Sequence, residues 1–150
     1  MTIETIADTF GGLARQPVWV GWRYKEVKGR VTKVPFRLGS PAIAASSTKP
    51  STWDFLDRFR PDTFSDGGLG VALGPHLQGI DLDACLGDEG KLEDWAREFV
   101  DSTDSYTEVS PSGHGVKIFV RGVTGESVTV KFGDEVTFAD GKRKGREVAL

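Results

Sequence analysis

The apolar residues of this chain come mostly in short alternating runs, each closed off by glycine, proline or a polar turn. Val18-Trp-Val-Gly-Trp22, Val34 to Phe36, Leu69 to Leu73, Leu77 to Leu82, Tyr106 to Val109 and Val116 to Val120 all read as strands. Two more short strands near Val128 and Val136 flank Gly133-Asp134, and Glu147 to Leu150 opens another. Lys28-Gly29 marks a hairpin turn between the first two strands, and Gly74-Pro75-His76 a tight turn between Leu73 and Leu77. Helical spacing is confined to three places. Ile3, Ile6, Ala7, Phe10 and Leu13 share one face until Gly11-Gly12 weakens it, and Leu92, Trp95, Ala96, Phe99 and Val100 share one face of Lys91 to Asp101. A third, short helix carrying Trp53, Leu56 and Phe59 is expected after an N-cap at Pro50-Ser51, where the Gly39 to Thr52 loop ends. Helices interspersed among hairpins predict an α+β domain and not a βαβ series.

The chain's 150 residues amount to one domain. It stops inside an apolar strand, so residues 1–150 are read as a single domain truncated at its C-terminus. No apolar run approaches the roughly 18 residues that cross a bilayer. Met1 to Phe10 carries two acids and no base, unlike a secretory or transit leader. Cys85 is the chain's one cysteine, which excludes a disulfide framework or a cysteine-rich zinc site, and it is read as a small buried hydrophobe. A soluble, cytoplasmic protein is expected, with no membrane partner.

Charge is segregated more than the net −3 suggests. Arg15 to Arg37 holds seven bases and one acid, with Trp19, Trp22 and Tyr24 interleaved; Asp81 to Glu108 holds ten acids and two bases. A second basic cluster, Lys142-Arg143-Lys144 with Arg146, follows near the end. A basic face beside an acidic pocket suits a protein that holds a phosphate backbone and binds cations elsewhere, and two solvated faces would read the same way.

Two constellations carry chemistry. In a strand, Asp81 and Asp83 of Asp81-Leu82-Asp83 point to one side and Ile80 and Leu82 to the other. Paired carboxylates stay ionised together only beside a compensating cation or several donors, and hard divalent ions such as Mg²⁺ or Mn²⁺ take such ligands. The alternative is a solvated strand end. The second is Ser110-Pro-Ser-Gly-His-Gly-Val-Lys117, where two glycines let backbone N–H groups converge and Ser110 and Ser112 add hydroxyls, as in loops that hold phosphate. Lys117 can neutralise a triphosphate there, and His114 stands at the tip, as part of the cradle or as a solvated residue. A plain hairpin turn is the alternative.

These pieces occur in a telling order: Lys33-Val-Pro-Phe36, Ala45-Ser-Ser-Thr-Lys-Pro-Ser-Thr-Trp53, Gly68-Leu-Gly-Val-Ala72, Gly79-Ile-Asp-Leu-Asp-Ala-Cys85, Thr107-Glu-Val-Ser-Pro-Ser-Gly113 and Gly145-Arg-Glu-Val148. The set resembles the N-terminal catalytic domain of phage and plasmid primase-polymerases, in the archaeo-eukaryotic primase superfamily, over roughly residues 15 to 150. The resemblance implies an RRM-like catalytic sheet of mostly antiparallel strands with flanking helices. It implies template-dependent nucleotidyl transfer from NTP or dNTP onto a DNA template and primer, by a two-metal mechanism with Mg²⁺ or Mn²⁺. The matched metal ligands and catalytic acids are Asp81, Asp83 and Glu147; the matched nucleotide contacts are Ser112, Gly113, His114 and Lys117, with Lys33 on a nucleotide or template phosphate. The family's serine-glycine turn leads to a histidine, and Lys117 stands at that position. A helicase domain or partner and host cytoplasm are further implications. A module of the same fold that binds nucleotide or single-stranded DNA without turnover is the competing reading. A haloacid-dehalogenase-type phosphatase would need Thr after the second aspartate, where this chain has Ala84-Cys85, and a sugar transferase a larger nucleotide-sugar domain.

Overall fold

A computed structural model describes residues 3–74, 77–122 and 126–150, and its backbone gathers into two compact units, Met1–Leu73 and Gly74–Leu150. Both are small α+β assemblies with antiparallel sheets.

The first unit opens with α1 (Ile3–Phe10), which passes into a 3-10 turn at Gly11–Arg15 where the glycines weaken the helix. Strands β1 (Trp19–Val27), β2 (Arg30–Phe36) and β3 (Gly67–Val71) form a sheet in the order β2-β1-β3. The β1–β2 turn is Lys28-Gly29, both residues at positive φ (53° and 73°), the two-residue geometry that matches strand twist. Both strands therefore run through the polar stretch after Trp22 up to the turn. Trp19, Phe36, Leu38, Leu56 and Phe64 pack with Ile6 and Ala14 into this unit's core.

No α-helix forms around Trp53. The segment has 3-10 turns at Pro50–Thr52, Leu56–Arg58 and Pro61–Phe64 instead. The reason is local: Asp54 exchanges both backbone hydrogen bonds with Trp19 (3.0 and 2.9 Å), which takes the groups a helix would need. The Trp53 ring is half-buried, with its indole N–H donating to the Ser46 carbonyl at 2.7 Å.

The second unit is a five-stranded sheet, order β5-β6-β4-β8-β7, made of β4 (Leu77–Asp83), β5 (Thr107–Val109), β6 (Val116–Arg121), β7 (Thr129–Thr137) and β8 (Arg143–Ala149). The helix α2 (Asp94–Thr103) begins three residues later than its apolar spacing predicts. Leu82, Cys85, Ala96 and Ile118 are fully buried or nearly so, and with Ile80, Leu86, Val116 and Val148 they form the core. The turn signal at residues 74–76 separates two sheets: β3 pairs with β1, whereas β4 pairs with β6 and β8. Pro75 and His76 lie outside the described residues.

The two short strands expected around Gly133-Asp134 are one strand. β7 keeps its pairing to β8 on both sides of an irregularity between Phe132 and Val136, with Gly133 at φ +66°. Among the described residues no helix is long and apolar enough to cross a membrane.

Candidate active site on the second sheet

The register of the five-stranded sheet decides which side chains share a face. Ile80 and Leu82 of β4, Val116 and Ile118 of β6 and Val148 of β8 go to the core. Side chains alternate, so Asp81, Asp83, Lys117 and Glu147 stand on the other face. Asp81 is opposite Lys117 across β4–β6, and Asp83 is opposite Glu147 across β4–β8. The three carboxylate side chains are 39%, 38% and 26% exposed, so water and solutes reach them.

Each carboxylate has a lysine. Lys117 Nζ donates to Asp81 Oδ2, Lys144 Nζ sits 3.2 Å from Asp83 Oδ1, and Lys131 Nζ sits 3.4 Å from Glu147 Oε2. Like charges on facing strands repel, and the lysines offset only part of that repulsion. Among the described residues, no three acidic, histidine or cysteine side chains converge closely enough to enclose a metal ion. The donors are of the hard-oxygen kind a divalent cation takes, on one face, but they are turned to the lysines.

The glycine turn is tied to the end of β4. Ala84 leaves the strand at φ +54°, a left-handed conformation that costs a non-glycine residue about 1 kcal/mol. Two bonds offset this cost: Cys85 N–H and Leu86 N–H both donate to the His114 carbonyl, at 3.0 and 3.2 Å. Gly113 takes φ +78° and donates its N–H to Ser110 O at 2.8 Å. A Cβ on Gly115 would stand 2.5 Å from the Leu82 carbonyl oxygen, so only glycine lets the turn lie this close to β4. Ser112 Oγ bonds Ser110 Oγ at 2.8 Å and accepts from Lys144 Nζ at 3.3 Å. Lys144 thus bridges the turn and the carboxylate pair.

His114 is not a solvated tip. Its ring stacks on Phe138 at 3.9 Å between centroids, Nε2 lies 3.0 Å from Asp140 Oδ2, and its side chain is 11% exposed. Asp140 is also held by Lys142, first of all, and its carboxyl sits well below the usual carboxylate range. Lys33 belongs to the first unit, on β2, with Nζ 5.3 Å from the Trp22 ring centroid.

Lys144 and Lys131 are the site residues that sequence reasoning missed. The Lys142 to Arg146 cluster was visible as charge, but nothing in it marks which base meets Asp83. Arg146 goes elsewhere, to Glu93 at the start of α2, by two bonds of 3.0 and 3.2 Å.

The comparisons with known proteins now bear on this face. No family model matches the chain. Over 115 residues it is 36% identical to the DNA primase-polymerase of Nitratiruptor phage NrS-1, a match that takes in 73% of this chain. The chain is related to a phage DNA primase-polymerase. It spans 15% of that relative's length. The α+β, mostly antiparallel architecture is compatible with a primase-type fold.

Proposed function

We propose that this chain carries the cation- and nucleotide-binding face of a DNA primase-polymerase, a template-dependent nucleotidyltransferase of phage or plasmid type. The observation that supports this most is the carboxylate face itself: Asp81, Asp83 and Glu147 on adjacent strands, beside Ser112, Lys117 and Lys144, in a relative of a DNA primase-polymerase. On this reading the five-stranded sheet is the RRM-like catalytic sheet of the archaeo-eukaryotic primase type.

Asp81, Asp83 and Glu147 would hold Mg²⁺ or Mn²⁺, which takes oxygen ligands and commonly shares them with substrate phosphates. The bound ions supply Lewis acidity at the phosphoryl oxygens and make a 3′ hydroxyl a better nucleophile. The chain's own residues do the rest. When the carboxylates turn away from their lysines, Lys117 and Lys144 become donors for the NTP or dNTP triphosphate. Lys117 does this as a point charge where the family has a histidine. Ser112 offers a hydroxyl to the same phosphates, and Gly113 and Gly115 let the turn backbone approach. His114, clamped between Phe138 and Asp140, positions that turn. Lys33 is assigned to a nucleotide or template phosphate.

The test pairs isothermal titration of dNTP with Mn²⁺ against primer extension. Replacing Asp81 and Asp83 with Asn is expected to abolish Mn²⁺-dependent nucleotide binding and to cut extension on the order of 10²-fold or more. Undiminished synthesis would overturn the assignment, and binding without incorporation in the unaltered protein would leave a nucleotide-binding module.

A further inference from the structure

The β4–β8 ladder ends at Asp83 and Glu147, so the residues of β8 before Glu147 run past the end of β4. The glycine turn is fastened at that same end, through the bonds of Cys85 and Leu86 to His114. Lys144 stands in this overlap, its Nζ 3.2 Å from Asp83 Oδ1 and 3.3 Å from Ser112 Oγ. The same Asp83 oxygen lies against the turn, 3.2 Å from where a Cβ on Gly115 would be. Among the described contacts, Lys117 and Lys131 meet Asp81 and Glu147 respectively, whereas Lys144 bonds a turn hydroxyl as well as its acid.

This bridge does little for the fold. Lys144 is 26% exposed and Asp83 38%, and an ion pair so open to water adds little stability. What it fixes is the position of one ammonium between a carboxylate and a hydroxyl. Lys144 must leave Asp83 before that carboxylate can hold a cation, and must leave it again to serve a phosphate at Ser112. The broken bond is common to both events. It opposes whichever ligand comes first and no longer opposes the second.

We propose that Lys144 couples the two halves of the site: its bond to Asp83 weakens cation binding and triphosphate binding taken singly, and makes each favour the other. The inference rests on the cation- and nucleotide-binding reading above and adds the residue through which the two ligands act on one another. Such a coupling is reciprocal, so it is measurable from either ligand.

The experiment is isothermal titration of the full chain and of Lys144→Met with Mn²⁺ alone, with dATP alone in EDTA, and with dATP at saturating Mn²⁺. Methionine keeps much of the side chain's length and removes its charge. The Mn–dATP complex formed in solution is the same for both proteins and cancels in the comparison. Mn²⁺ alone is expected to bind Lys144→Met about threefold or more tighter, and the factor by which Mn²⁺ strengthens dATP binding to fall about threefold or more. Lys131→Met removes the lysine at Glu147 and leaves the turn untouched, so it is expected to keep that factor. Circular dichroism melts establish that each variant is folded. The same factor in Lys144→Met as in the unaltered chain would overturn the inference and leave the reading of the site standing. So would weaker Mn²⁺ binding in Lys144→Met, or an equal loss of the factor in Lys131→Met, which would trace it to net charge alone. An unaltered chain that binds neither Mn²⁺ nor dATP would overturn both.

Discussion

Glu147 stands directly opposite Asp83 in the β4–β8 ladder, two carboxylates facing across neighbouring strands with a lysine at each. A directly opposed like-charge pair is destabilising by about 0.2–1 kcal/mol. The Lys131 that meets Glu147 is 76% exposed, and such a pair returns little. Glu147→Gln is therefore expected to raise the melting temperature slightly in EDTA and, on the proposed metal assignment, to shrink the further rise that Mn²⁺ is expected to give the unaltered chain. Differential scanning calorimetry with and without Mn²⁺ reads both. A variant that melts lower in EDTA and keeps the full Mn²⁺ response would contradict the arrangement.

Gly115→Ala tests the close approach of the turn to β4. The added methyl collides with the Leu82 carbonyl oxygen, which is backbone and cannot swing aside, so the turn must move. A loss of about 1–3 kcal/mol is expected from the displaced pairing, measured by urea denaturation. A variant as stable as the original would mean the turn has room that the structure denies it.

Cys85 is fully buried, with its thiol donating to the Leu82 carbonyl at 3.2 Å, and burial pushes its pKa up to about 11. The thiolate is the reactive form, so this group is expected to resist a thiol reagent at pH 8 in the native chain and to react promptly in urea. Rapid labelling of the folded chain would show the β4 end to be open.

Glu93, along with Asp140, contributes to the pH dependence. The Arg146 hydrogen bonds, above all, hold its carboxyl below the ordinary value of 4.5, against an opposing effect of burial, and the Trp95 indole N–H adds a further bond at 2.9 Å. A carboxyl whose folded pKa lies below its unfolded one stabilises the fold above the unfolded value, and that contribution vanishes as pH falls through the folded one. Stability is therefore expected to drop below about pH 4.5. In Arg146→Ala the neutral-pH stability is expected to fall by about 1 kcal/mol and the acid limb to flatten. Urea midpoints between pH 3 and 7 measure both; parallel curves for the two proteins would rule out the coupling.

Much of the second sheet was legible because its signals are local. Alternation at Ile80, Asp81, Leu82 and Asp83 assigned the faces of β4, and the same parity at Val116 and Lys117 assigned those of β6. Glu147 entered through resemblance, since its register opposite Asp83 is a long-range fact that no spacing encodes. The failures share a cause. Asp54 pairs with Trp19, and Phe132 and Val136 both keep their partners on β8, so distant pairing overrode a helical spacing in one case and a turn signal in the other. Lys131 and Lys144 were invisible for a further reason: a long flexible side chain finds its acid by tertiary proximity, and composition reveals only that bases are present.

The strand order places β8 between β4 and β7, though it comes after the other four strands of the sheet along the chain. During translation β4 and β6 can pair as soon as they leave the ribosome, while the other edge of β4 stays bare until Arg143–Ala149 emerge. Asp81 and Asp83 then sit on an open edge without Glu147, so a nascent chain halted before that point would lack the third acid, and ribosome-bound intermediates would be the species most exposed to mispairing.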